Sequence, residues 1–178
     1  MALSRTLLRT FAADYPAEPE RVLHIANQRL LGDVDAGMFV TVFYGVLDPP
    51  SGRLAYCNAG HHPPYLLLPG NPPAEQGLPR TGMALGVEAN AAWSVEAIQI
   101  PPGALLLLYT DGIVEAQNPG GDFFGTERML NSVRHLLGKP AAQIDLTLLA
   151  SIDTFAAGAP QSDDIALAVV TRAAAPAA

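Results

Sequence analysis

From Met38 the hydrophobic pattern of this chain changes period, from the three-and-four spacing of helices to the alternation of strands, and helical spacing returns only near Thr126. Ahead of the change, Leu3, Leu7, Leu8 and Phe11 fall on one face of a helix over Met1 to about Ala13, and Asp14-Tyr15-Pro16 breaks it. A second helix is predicted from about Pro19 to Leu31, with Val22, Ile25, Ala26 and Leu30 inward and Pro19 in its first turn. Then come Phe39 to Leu47, rich in β-branched and aromatic residues, the turn Asp48 to Gly52, and the returning strand Arg53 to Asn58. Short strands follow at Tyr65–Leu68, Trp93–Ile100 and Ala104–Tyr109, with a Pro/Gly-rich loop over 69–82 and a Pro101-Pro102-Gly103 turn. A helix over Glu127–Leu137 capped by Thr126, a helix over Ala141–Ala157 closed by Gly158, and a strand over Asp164–Thr171 complete the order. Helices, a run of strands, then helices and one closing strand are segregated elements, and that order indicates an α+β fold with antiparallel sheets.

Composition narrows the function classes. Hydrophobic residues make up 49% of the 178 residues and charged residues 15%, which suits one folded domain with a substantial core and excludes general disorder. No apolar run approaches the roughly 20 residues that span a bilayer, and arginines interrupt the apolar part of the first nine residues, so neither a membrane segment nor a signal peptide is expected. The expected setting is cytoplasmic. Net charge is −7 and Lys139 is the only lysine, so no clustered positive charge offers a nucleic-acid surface. The single cysteine, Cys57, allows neither an internal disulfide nor a multi-cysteine metal site. Placed in a strand, it reads as a small buried thiol.

Three clusters could carry chemistry. Thr110-Asp111-Gly112 follows an apolar run, so the Asp111 carboxylate would stand at the mouth of a buried strand with Gly112 admitting a close neighbour; the alternative is a turn aspartate that ends the strand. Ser162-Asp163-Asp164 precedes the last strand. Adjacent like charges repel, and a hard cation relieves that; the alternative is a polar loop. In Asn58-Ala59-Gly60-His61-His62-Pro63-Pro64 the histidines could be ligands or acids, or turn residues bonded to backbone, and adjacent histidines are not spaced to share one metal. His24 and His135 read as surface positions. No serine sits in a Gly-x-Ser-x-Gly elbow, and no phosphate-cradling glycine loop is present.

Taken in order, Met38 to Asp48, Asn58-Ala59-Gly60-His61, Leu85-Gly86, Leu108-Tyr109-Thr110-Asp111-Gly112, Phe124-Gly125 and Ser162-Asp163-Asp164-Ile165 resemble the stage II sporulation protein E-like phosphatases, a bacterial branch of the PPM phosphatases related to protein phosphatase 2C. The resemblance implies an αββα sandwich, two antiparallel sheets flanked by helices, over residues 1–172, with 173–178 a disordered tail. It implies two Mn²⁺ or Mg²⁺ ions, with Asp111 and Asp163 as ligands and Asp164 supporting or binding the neighbouring position, and with Gly112, Gly60 and His61 close by. The implied reaction is hydrolysis of phosphoserine or phosphothreonine by a metal-activated water, with no covalent intermediate and no other catalytic side chain. The implied partners are a phosphorylated substrate of the anti-sigma-factor antagonist type and an upstream sensor domain. These phosphatases carry an earlier Gly-Asp-x-x-Gly-x-Gly signature, and nothing of the kind precedes Met1; Gly32 to Gly37 reads as a loop. The expectation is therefore the C-terminal two-thirds of the domain, N-terminally truncated, with a non-catalytic interaction module as the competing reading.

Overall fold

The computed structural model describes residues 2–33 and 38–173. The chain divides into two compact units, Met1–Pro63 with Pro79–Gln99, and Pro64–Leu78 with Ile100–Ala178. Most of the expected 173–178 tail lies outside the described residues.

The first unit opens with α1 (Ala2–Asp14) and α2 (Pro19–Asp33), which pack on one another. Gly32 and Asp33, expected in a loop, are the last turn of α2, and residues 34–37 lie outside the description. Leu23, Ala26 and Leu30 of α2 are buried against Cys57, Ala59, Leu85, Ala91 and Trp93, with Leu7, Leu8 and Phe11 of α1 packed at the margin. Of the residues expected inward on α2, Val22, Ala26 and Leu30 are buried and Ile25 only half-buried, while Leu23, not expected there, is also buried. β1 (Val42–Asp48) and β2 (Arg53–Ala59) form the expected hairpin, from Val42 opposite Ala59 to Asp48 opposite Arg53. The third strand of this sheet is β5 (Glu96–Gln99), shorter than the expected Trp93–Ile100 and paired with Arg53–Tyr56 in the order β1-β2-β5. Trp93 instead leaves the ladder to fill the core, and its indole Nε1 donates to the Met83 carbonyl at 2.8 Å. Asn27, fully buried on α2, donates to the Glu88 carbonyl at 2.9 Å and accepts from the Gly86 amide at 2.8 Å, tying the 82–92 connection to the helix.

Cys57 is fully buried in β2, as its setting in a strand predicts, and its thiol points at the Ser94 carbonyl 3.4 Å away. Burial, with Glu20 adding, pushes the thiol from 9.0 up to about 11. A thiol raised in the folded state contributes stability that is present below about pH 9 and lost as pH climbs towards 11, where only the unfolded chain ionises. We expect Ellman's reagent to leave native Cys57 untouched at pH 8 and to titrate one thiol in denaturant; rapid native labelling would mean that β2 opens.

The second unit holds β3 (Tyr65–Leu68), β4 (Ala74–Gly77), β6 (Leu105–Tyr109) and β7 (Leu167–Thr171), antiparallel in the order β4-β3-β6-β7. β4 corrects the loop expected over 69–82. Ala-Glu-Gln-Gly has no strand pattern of its own, and its conformation comes from pairing with β3 and from the Arg134 guanidinium, which grips both carboxylate oxygens of Glu75. The Pro101-Pro102-Gly103 turn closes with an Ala104 amide to Pro101 carbonyl bond of 3.1 Å and Gly103 at φ +83°, the type II geometry read from the sequence. It joins strands of different sheets: β5 pairs with β2, and β6 with β3 and β7. α4 (Gly125–Arg134) and α5 (Ala141–Ala156) pack together, bringing Met129, Leu130, Val133, Ile144, Leu148 and Ile152 against Leu105, Leu107 and Tyr109. Several boundaries differ from the sequence reading, among them the end of α4 at Arg134 where Leu137 was expected. α4 is capped by Phe124 without a side-chain bond, because the Thr126 hydroxyl lies inside the helix and bonds Tyr109. α5 ends in left-handed Ala157 (φ 47°), one residue before Gly158.

Candidate functional site

β6 ends at Tyr109, and the next three residues leave it in a fixed way. Thr110 is still extended, its amide donating to the Ala166 carbonyl at 3.0 Å as a last rung of the β6–β7 ladder. Asp111 then starts the single helical turn α3 (Asp111–Val114), which the sequence reading treated only as a strand end. Ile113 plugs into the core and anchors the turn. Asp111 is half-buried, and its Oδ1 accepts from the Gly112 amide at 3.1 Å.

Asp163 was expected directly before the last strand and Asp164 at its first position. They lie before it, in an exposed loop, because β7 begins only at Leu167. The expected inward alternation survives where the strand exists, with Leu167 and Val169 half-buried against the core and Ala168 exposed. Within the loop, Asp163 Oδ1 accepts from the Asp164 amide at 2.7 Å, and Gln161 Nε2 donates to the Asp163 carbonyl at 2.7 Å.

The two segments are in direct contact. A Cβ on Gly112 would sit 2.6 Å from the Asp164 carbonyl oxygen, 2.9 Å from its carbon and 3.2 Å from the Asp163 carbonyl oxygen. Only a residue without a side chain lets the Asp111 turn and the Asp163-Asp164 loop pack backbone to backbone. The structure thereby brings Asp111, Gly112, Asp163 and Asp164 to one end of the β6–β7 pair. It does not focus the three carboxylates on one point: their oxygens are not all within 4.8 Å of one another. Sequence reasoning missed Glu115. Its amide closes the helical turn on the Asp111 carbonyl at 2.8 Å, and its carboxylate comes within 4.8 Å of that of Asp111. The signal was the i, i+4 spacing, which matters only once residues 111–115 are seen as a turn of helix.

The donor set suits a hard divalent cation. Asp111, Glu115, Asp163 and Asp164 all offer carboxylates, and among the described residues neither the Asp164 carboxylate nor the second oxygen of Asp163 accepts a protein hydrogen bond, so oxygen lone pairs remain for coordination. At the base of the site, burial followed by the neighbouring Tyr65 pushes the Tyr109 phenol up to about 12, so this group stays neutral and is no proton carrier at neutral pH.

Gly60 and His61 belong to the first unit, in the connection between β2 and β3. Gly60 is left-handed (φ 75°), and a Cβ there would meet the Ala84 amide nitrogen at 3.1 Å. His61 Nδ1 lies 2.9 Å from the His62 carbonyl and therefore carries the proton in that bond, the backbone-bonded arrangement that was one of the two readings. His24 and His135 are exposed.

Comparison with known proteins places the chain. The family described as Stage II sporulation protein E (SpoIIE) matches residues 1–173. Protein IcfG of Synechocystis sp. is 34% identical over 141 residues, covering 78% of this chain and 21% of that protein. Phosphoserine phosphatase RsbU of Bacillus subtilis is 26% identical over 103 residues, covering 58% of this chain and 30% of that protein. The chain thus spans under a third of either curated relative. Among solved structures, the SiaA-PP2C domain of Pseudomonas aeruginosa superposes with a TM-score of 0.81 at 20% identity, covering 96% of this chain and 68% of that one, a likeness of fold. Two antiparallel sheets with flanking helices, the Asp111 turn held against the Asp163-Asp164 loop, and a family match over nearly every residue agree: this chain belongs to the SpoIIE family, the SpoIIE/RsbU-type branch of the PPM phosphatases.

Proposed function

We propose that residues 1–172 belong to a protein Ser/Thr phosphatase domain, which hydrolyses phosphoserine or phosphothreonine on a bacterial signalling protein in the cytoplasm. The observation that carries the reading is the side-chain-free contact of Gly112 with the Asp163-Asp164 backbone, which joins two distant acidic segments at one strand end. Asp111 and Asp163 would hold Mn²⁺ or Mg²⁺, with Asp164 completing the neighbouring position and Glu115 beside Asp111. Bound divalent cations would supply neutralisation of the phosphoryl oxygens and acidification of the attacking water. The chain's own part is positional. The end of β6 and α3 keep Asp111 and Glu115 on regular elements, and the Gly112 contact sets the Asp163-Asp164 loop beside them, so charge would be prearranged where the phosphoryl group would sit.

The substrate class follows from the relative named as a phosphoserine phosphatase, RsbU. The proposed substrate is of the anti-sigma-factor antagonist type, and the proposed input is a sensor domain elsewhere in the protein. No helix among the described residues is long and apolar enough to cross a membrane. A second reading, a phosphatase-like interaction module without turnover, is favoured by the incomplete convergence of the three aspartates.

Hydrolysis of a phosphoserine peptide with and without Mn²⁺ separates the two readings, measured on this chain and on a version extended upstream. Mn²⁺-dependent turnover, expected from the extended version, supports the phosphatase. Absence of turnover in both, with no Mn²⁺ binding by calorimetry, leaves the interaction module.

A further inference from the structure

We propose that Thr110 is a positioning residue for the candidate metal loop, its hydroxyl setting where Asp163 and Asp164 stand; the role rests on the phosphatase reading above. The Thr110 Oγ1 donates to the Asp164 carbonyl at 2.9 Å and accepts from the Ala166 amide at 2.8 Å. Donor and acceptor capacities of one hydroxyl are thus spent on the two ends of a three-residue stretch, while the Thr110 amide holds the Ala166 carbonyl at 3.0 Å. Three bonds from one residue carry the chain from the last rung of β7 back to Asp164.

Little else holds the loop there. Residues 161–164 are exposed, and a cavity of about 160 Å³ lies beside them, bounded by Gly112, Ala116, Ile152, Ser162 and Ile165. Packing is therefore incomplete on that side. Gly112 limits how closely the loop can approach, and Thr110 stops it from leaving. Thr110 directly precedes Asp111, so one strand end places both carboxylate segments in register, as a partner that orients a ligand tunes a metal site without touching the ion. A valine here would preserve the β-branched shape and the strand. It would remove both hydroxyl bonds and strand the Ala166 amide.

The test compares Thr110→Val and Thr110→Ser in the full-length protein by amide exchange at Ala166 and by Mn²⁺ affinity from calorimetry. Valine is expected to speed exchange at Ala166 by at least about 10-fold and to weaken Mn²⁺ binding by about 10–100-fold, while serine stays within about threefold of wild type on both. Unchanged exchange in the valine variant overturns the clamp. Faster exchange with unchanged Mn²⁺ affinity overturns the positioning role and leaves a structural bond. If the wild-type protein binds no Mn²⁺ at all, the metal reading itself falls and this role with it, an outcome recognisable because exchange at Ala166 still responds to valine.

Discussion

Asp111→Asn is expected to lower Mn²⁺-dependent phosphoserine hydrolysis by more than about 100-fold while leaving the fold intact, since even partners that only orient a metal ligand are worth 10–100-fold. The separation of the two effects comes from the geometry. Asp111 Oδ1 accepts from the Gly112 amide, and an asparagine Oδ1 in the same rotamer accepts that bond equally well. What disappears is the negative charge and the second anionic oxygen, which a divalent cation would need. Asp163→Asn should behave alike, because Asp163 Oδ1 likewise needs only to accept, from the Asp164 amide. Stability in either variant should stay within about 0.5 kcal/mol of wild type. Parallel kinetics and thermal melts check this, and wild-type turnover in either variant would remove that aspartate from the site.

Gly112→Ala should damage fold and site together. The added methyl would lie 2.6 Å from a carbonyl oxygen and 2.9 Å from its carbon, both backbone, so no rotamer change relieves the contact. Gly112 is helical with an ordinary negative φ, so the cost is overpacking and not backbone strain. We expect about 1–3 kcal/mol of destabilisation. The Asp163-Asp164 loop has to retreat, and a displacement near 1 Å at a reacting centre can cost about 100-fold in rate. Denaturant melts and Mn²⁺ titration of one preparation test both parts. A variant as stable and as tight as wild type would show that the loop moves freely. Gly32 offers the contrast: it is helical with nothing within 4 Å of its would-be Cβ, and alanine there should be tolerated.

The elements legible in the sequence are those whose pattern and packing agree. The β1–β2 hairpin, the apolar β6 and the Ile144, Leu148, Ile152 stripe of α5 each carry their own period and find a core on the side it points to. Legibility failed where a neighbour decides. β4 is a strand because β3 and Arg134 make it one. Trp93 abandons the ladder for the core, and the Thr126 hydroxyl goes to Tyr109 instead of capping α4. β7 starts late because Thr110 takes the amide of Ala166 and the carbonyl of Asp164. At the site, acidic residues beside an apolar run and the family likeness drew attention to Asp111, Gly112, Asp163 and Asp164, which the structure places at one strand end. Glu115 was hidden behind a helical turn that four residues are too few to announce, and Thr110 by bonds that no local pattern encodes.

The order of the second sheet, β4-β3-β6-β7, also sets a timetable. The β1–β2 hairpin closes over a four-residue turn, whereas Thr110 and Asp164 are 54 positions apart. By the logarithmic growth of loop-closure entropy, bringing the latter pair together costs about 2 kcal/mol more than closing the hairpin. Contacts of such long range form late on the route to the native state. The two acidic segments should therefore stay apart until β7 docks on β6, so a cation cannot nucleate this part of the chain. It can only trap it, slowing unfolding by holding shut the last seam to close.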